Sequence, residues 1–118
     1  MLIDASDETR IFDASALSAL FEGEPIVYSQ FLGDVLRSVD ECVRAIAVAS
    51  ETRDLSRVRS RAHELKGVAG NVGAEQLAAC SRAVEEAAKR GAIEDVNAAL
   101  PALIEAHVRC RAAIAALI

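Results

Sequence analysis

The feature that most constrains this chain is a run of apolar residues, Leu55, Val58, Ala62, Leu65, Ala69 and Val72, recurring at steps of 3, 4, 3, 4 and 3. That spacing is one buried stripe of an α-helix and does not suit the two-residue alternation of a strand. Once the stripe is fixed, every other residue takes its place on a wheel advancing about 100° per residue. His63 falls about 130° from the centre of the stripe and is predicted to face solvent. Arg59, Lys66, Gly67 and Gly70 all lie within about 60° of His63. The helix therefore presents one imidazole, a cation one turn to either side, and bare glycine backbone just beyond.

Composition supports a helical reading of the remainder. The 118 residues suit one domain with a single core. Apolar residues make up 53%, with alanine prominent, while aromatics are only 3%, which favours helix over strand. Two prolines and six glycines allow few turns. The expected fold class is all-α.

Taken in order, residues 1–12 read as a polar, acidic and flexible lead-in to a domain spanning 13–118. Asp13 is placed to cap a short helix over 15–22, with Leu17, Leu20 and Phe21 on one side. Gly23 ends it, and Pro25 suits the first position of the next helix. That helix, 26–50, carries the stripe Tyr28, Phe31, Leu32, Val35, Val39, Cys42, Val43 and Ile46. The helix bearing His63 spans about 54–72. Gly73 is predicted to take positive φ at the following turn. Another helix covers 74–90, burying Leu77, Cys80, Val84 and Ala87, with Gly91 as its C-terminal cap. The last, 93–117, turns Val96, Leu100, Leu103, Cys110, Ile114 and Leu117 inward. Pro101 should kink or divide it, because proline removes a donor and crowds the preceding turn. His107 falls in the apolar register of this helix and reads as a core-edge histidine, with no cation or glycine assigned to it. Four long amphipathic helices and short turns make an antiparallel up-down-up-down bundle with a short extra N-terminal helix.

The net charge of −5 argues against nucleic acid as the main partner. Acids dominate the first 41 residues, whereas Arg53, Arg57, Arg59, Arg61 and Lys66 gather around the His63 helix. Such a patch suits an acidic protein surface or a phosphoryl group, or else is a solvated helix face rich in arginine. Cys42, Cys80 and Cys110 are odd in number and widely spaced, with no zinc-ligand pattern. Cys42 and Cys80 lie on apolar stripes and read as small buried hydrophobes, as a reducing cytoplasm permits. No metal and no cofactor is expected. No secretory leader is recognised, and no apolar run approaches the roughly 18 residues of a membrane span. A cytoplasmic location follows.

A neutral imidazole nitrogen is a competent nucleophile near neutral pH. Neighbouring cations disfavour imidazolium and balance the charge of an incoming phosphoryl group. The pattern His63-x-x-Lys66-Gly67, followed by Gly73, resembles the signature of the histidine-containing phosphotransfer (HPt) domains of two-component phosphorelays. The resemblance continues through Ala74, Leu77, Cys80, Val84, Glu85 and Ala88, and more loosely from about residue 13 to the end. It implies a helical bundle without an ATP site of its own. His63 would accept a phosphoryl group at Nε2 and exchange it with an aspartate of a response-regulator receiver domain. The receiver would supply the metal ion and most of the catalysis, and a histidine kinase or hybrid kinase would stand upstream. Lys66 would contact the phosphoryl oxygens, and Gly67 and Gly70 would leave room for the receiver. Arg59, which matches by its face of the helix and not by a fixed motif, would contact either the phosphoryl oxygens or the acidic receiver.

For Nε2 to keep its lone pair, Nδ1 must stay protonated against an acceptor. Glu85 is the candidate. Gly73 lies ten residues after His63 and Glu85 twelve after Gly73, which places both side chains at similar depth on antiparallel neighbours. The alternative is a surface carboxylate paired with Lys89 at i+4. A nucleotide-binding enzyme is a poor fit, because Gly67-x-x-Gly70-x-x-Gly73 follows a helix and lacks a Lys-Ser/Thr sequel. A helical adaptor that transfers nothing, or the detached phosphoacceptor domain of a larger sensor or chemotaxis kinase, remain alternatives. A start at Met1 favours a freestanding protein, expected to be a monomer.

Overall fold

The computed structural model describes residues 9–118, all side chains but that of Ala16 included. Five helices follow in order: α1 (Ala14–Leu20), α2 (Pro25–Glu51), α3 (Leu55–Asn71), α4 (Glu75–Lys89) and α5 (Ile93–Ala115). No strand occurs among the described residues. Three-residue turns join α2 to α3, α3 to α4 and α4 to α5, and such short links force neighbours to run antiparallel. Each long helix packs on the next, and α5 returns onto α2 to close the bundle.

The turns share one physical solution. Arg53, Gly73 and Gly91 sit at φ of 58°, 73° and 73°. The residue after each donates its N–H to a carbonyl five positions back: Asp54 to Ala49, Ala74 to Ala69 and Ala92 to Ala87, at 2.8, 2.9 and 3.1 Å. These are Schellman closures, which satisfy the orphaned carbonyls at a helix end. Gly73 takes the positive φ predicted for it. Its backbone also meets the residue before α1, since a Cβ there would stand 2.5 Å from Asp13 Cβ. Arg10 O accepts the N–H of Gln76 at 2.8 Å, covering a donor in the first turn of α4. Phe12 packs against the core. Of the 1–12 lead-in, residues 1–8 lie outside the described residues.

The core is continuous through all five helices, with Leu32, Ile46, Leu65, Leu77, Leu103 and Ile114 fully enclosed. Val58, Ala62, Leu65, Ala69 and Val72 are buried as their periodicity requires. Two buried serines, Ser50 and Ser81, donate to the carbonyls of Ile46 and Leu77 one turn back.

Several expectations need correction. Helix α1 stops at Leu20, and Leu20 is 78% exposed because the chain turns away through Gly23 before covering it. Leu117 is 41% exposed, since α5 ends at Ala115 and leaves it past the last turn. Cys80 is half-buried where full burial was expected, while Cys42 is enclosed. Pro101 does not divide α5, which runs through it as one helix. His107 does have a cation nearby. Its Nε2 lies 2.7 Å from Asp40 Oδ1 on α2, and Arg111, one turn along α5, donates to the other oxygen of Asp40. Burial pushes the Asp40 carboxyl pKa upward, but the bonds from His107 and Arg111 outweigh it and hold the group below its ordinary range.

Candidate functional site

Helix α3 starts under Asp54, whose side chain accepts the Arg57 N–H at 3.1 Å. With its apolar stripe buried, the opposite face carries His63 outward, its side chain 69% exposed. Helix α4 buries Leu77, Ala78, Ser81, Val84, Ala87 and Ala88. Glu85, next to Val84, is therefore turned along the α3–α4 seam and is only 14% exposed.

The two elements meet at this carboxylate. His63 Nδ1 lies 2.6 Å from Glu85 Oε2, and Lys66 Nζ donates to Glu85 Oε1 at 2.6 Å. Burial pushes the Glu85 carboxyl pKa upward, but the hydrogen bonds from Lys66 and His63 outweigh it and bring it below its ordinary range. Glu85 is thus ionised near neutral pH and can only accept. The hydrogen of the neutral imidazole must then sit on Nδ1, which leaves the lone pair on Nε2. Nε2 has no hydrogen-bond partner among the described residues.

Gly67 and Gly70 are exposed on the same helix, and a Cβ at either would meet nothing within 4 Å. Arg59 lines a hollow of about 410 Å³ with Ser56, Ser60, His63 and Glu85. A second hollow, about 370 Å³, continues past His63 to Lys66, Arg82 and Lys89. The structure therefore brings together His63, Glu85, Lys66 and Arg59. The pairing of Glu85 with Lys89 considered from the sequence is absent among the described residues. Two features were missed. Lys66 was assigned to an incoming group, yet its ammonium is bonded to Glu85. Arg82, three residues before Glu85 on α4, also borders the site and was legible from that spacing alone. Among the described residues no cluster of three His, Cys, Asp or Glu could hold a metal ion, and no helix is long and apolar enough to cross a membrane.

The imidazole is anchored through its inner nitrogen on the outside of a helical bundle, with its outer nitrogen open to a group brought by another molecule. A family model for the Hpt domain matches residues 30–117, and the chain belongs to this family of histidine phosphotransfer domains of two-component phosphorelays. Among solved structures it is similar to histidine-containing phosphotransfer protein B of Pseudomonas aeruginosa PAO1, at 25% identity over 91% of this chain and 93% of that one, with a TM-score of 0.81. It also shares its fold with the HPT domain of an Hpt sensor hybrid histidine kinase from Shewanella, at 19% identity over 95% of this chain and 93% of that one, with a TM-score of 0.72. No curated protein matches the chain.

Proposed function

We propose that His63 is the phosphoacceptor of this Hpt domain, exchanging its phosphoryl group with an aspartate on a response-regulator receiver downstream of a histidine or hybrid kinase. The observation that supports this reading best is the 2.6 Å contact of His63 Nδ1 with Glu85, alongside an outer nitrogen without a partner among the described residues. Glu85 fixes the tautomer and, once Nε2 is phosphorylated, faces the positive charge that the ring acquires. Lys66 adds positive charge beside this centre, and Gly67, Gly70 and Arg59 border the surface on which the receiver docks. The bundle of 13–118 acts as a cytoplasmic, monomeric phosphocarrier and leaves ATP chemistry to its kinase.

The test is His63→Gln. His63 lies outside the buried stripe, where substitutions shift stability by no more than about 0.5 kcal/mol. The variant should keep its helicity and melting temperature but lose all labelling by a phosphorylated receiver. The wild-type label should be acid-labile and base-stable, as a phosphoramidate is. Undiminished labelling of the variant would move the acceptor elsewhere, with His107 the remaining histidine.

A further inference from the structure

We infer that the cations around His63 divide the work: Arg59 takes the phosphoryl oxygens, and Lys66 is a positioning residue that acts on His63 through Glu85. This rests on His63 being the acceptor.

Lys66 is already committed. Its ammonium lies 2.6 Å from Glu85 Oε1, while the other oxygen of the same carboxylate holds His63 Nδ1. Glu85 is 14% exposed, so it has lost most of its water and relies on these two donors. If Lys66 swung out to a phosphoryl group, Glu85 would keep one partner. Its proton affinity would rise just when an ionised carboxylate is needed against the ring. The lysine is therefore worth more where it is, holding Glu85 charged and oriented.

Arg59 is in the opposite situation. It is exposed, one turn before His63 on the same face, and shares the wall of the same hollow. It makes no ion pair among the described residues. A guanidinium presents a planar fork of donors that matches two phosphoryl oxygens at once. Lys89 also borders the site, but only on the side of the second hollow, whereas Arg59 lines both.

The transfer step is then explicit. The Nε2 lone pair forms the N–P bond as the bond between phosphorus and the receiver's aspartyl oxygen breaks. The aspartate leaves as a carboxylate. No proton is released, because the Nδ1 hydrogen stays between His63 and Glu85 as the ring becomes positive. Arg59 follows the phosphoryl oxygens from one bond to the other.

The experiment uses the full chain and phosphoramidate, a donor that needs no docked surface. Initial rates of His63 labelling against phosphoramidate concentration are measured for Arg59→Ala, Lys66→Met, Lys66→Arg, Lys89→Ala and His63→Gln. Ring ¹⁵N spectra of His63 are recorded across pH for each variant that retains it. Arg59→Ala should raise the KM for phosphoramidate about tenfold and leave the ring resonances in place. Lys66→Met should leave KM within about twofold, lower the maximal rate, and shift the ring resonances toward a mixture of tautomers. Lys66→Arg should restore the wild-type spectrum. An unchanged KM in Arg59→Ala would overturn the inference. So would a larger rise in Lys89→Ala, or a Lys66→Met variant with raised KM and unmoved resonances. Labelling that survives in His63→Gln would instead overturn the assignment of the acceptor.

Discussion

Replacing Gly67 with glutamine separates docking from chemistry. Gly67 lies in the interior of α3 with ordinary helical φ, and a Cβ there has open space around it. Glycine costs a helix interior about 0.5–1 kcal/mol against a good helix former. At about 4–8 °C per kcal/mol for a domain near this size, Gly67→Gln should raise the melting temperature by about 2–8 °C. The new side chain stands about one turn, roughly 6 Å, beyond His63 and about 40° from it around the helix. A receiver loop seated on this face would meet it. Displacing such a close approach by about 3 kcal/mol would slow transfer by roughly 100-fold. The assay follows loss of label from a phosphorylated receiver to this chain, with phosphoramidate labelling of the same variant alongside. Phosphoramidate should label Gly67→Gln within about threefold of wild type, because the imidazole and Glu85 are untouched. Unfolding of the variant would make the glycine structural. Equal slowing with both donors would put Gly67 in the chemistry of His63, and undiminished transfer from the receiver would mean that nothing approaches this face closely.

Gly73→Ala should do the reverse and lower the melting temperature by about 8–24 °C, from about 2–3 kcal/mol of left-handed strain and collision with Asp13. Part of that loss should return in the double variant with Asp13→Gly, and a Gly73→Ala protein as stable as wild type would defeat the argument. Asp40→Asn should cost about 1 kcal/mol at pH 7 in urea denaturation, since it weakens a half-exposed carboxylate bridge between α2 and α5. The folded pKa of Asp40 is depressed, so its contribution is present above the unfolded pKa near 4 and disappears as pH falls through the folded value. The gap between variant and wild type should close in acid, and a gap constant with pH would rule out the ionic origin. Pro101→Ala should stabilise the chain by about 1–3 kcal/mol in the same assay, by restoring a helical donor, and a loss would show that the bundle depends on the local geometry proline imposes.

Much of this arrangement was legible in the sequence, because it rests on local physics. The apolar period of α3 places His63 outside, and Gly73 marks the turn that folds α4 back. Counting residues through that turn brings Glu85 to the depth of His63, where the structure has it bonded. The misses have a common cause in tertiary packing. Whether Leu20 or Leu117 is covered depends on where other parts of the chain stop, which no helical wheel records. Of the two outcomes left open at Pro101, division is excluded, because α5 continues through it with its inner face held by Val96, Leu103 and Ala106. Asp40 and His107 stand 67 positions apart and share no motif, although Arg111 at i+4 from His107 was a visible sign of a charged edge. The commitment of Lys66 to Glu85 needed side-chain geometry, since a wheel gives its face and not its partner.

The three-residue turns have a consequence for how the molecule assembles in time. The contact of His63 with Glu85 joins residues 22 positions apart, inside a single helical hairpin. Closing so short a loop costs little entropy, and bundles dominated by such contacts fold in microseconds to milliseconds. The return of α5 onto α2 is different, because Asp40 meets His107 and Arg111 across 67 and 71 positions. The His63–Glu85 pair is thus encoded within α3, α4 and their turn, and should take shape early, whereas the seam opposite closes late. Substitutions in the α3–α4 hairpin should then slow folding, while Asp40→Asn should act mainly by hastening unfolding, and stopped-flow measurements showing the reverse order would refute this sequence of events.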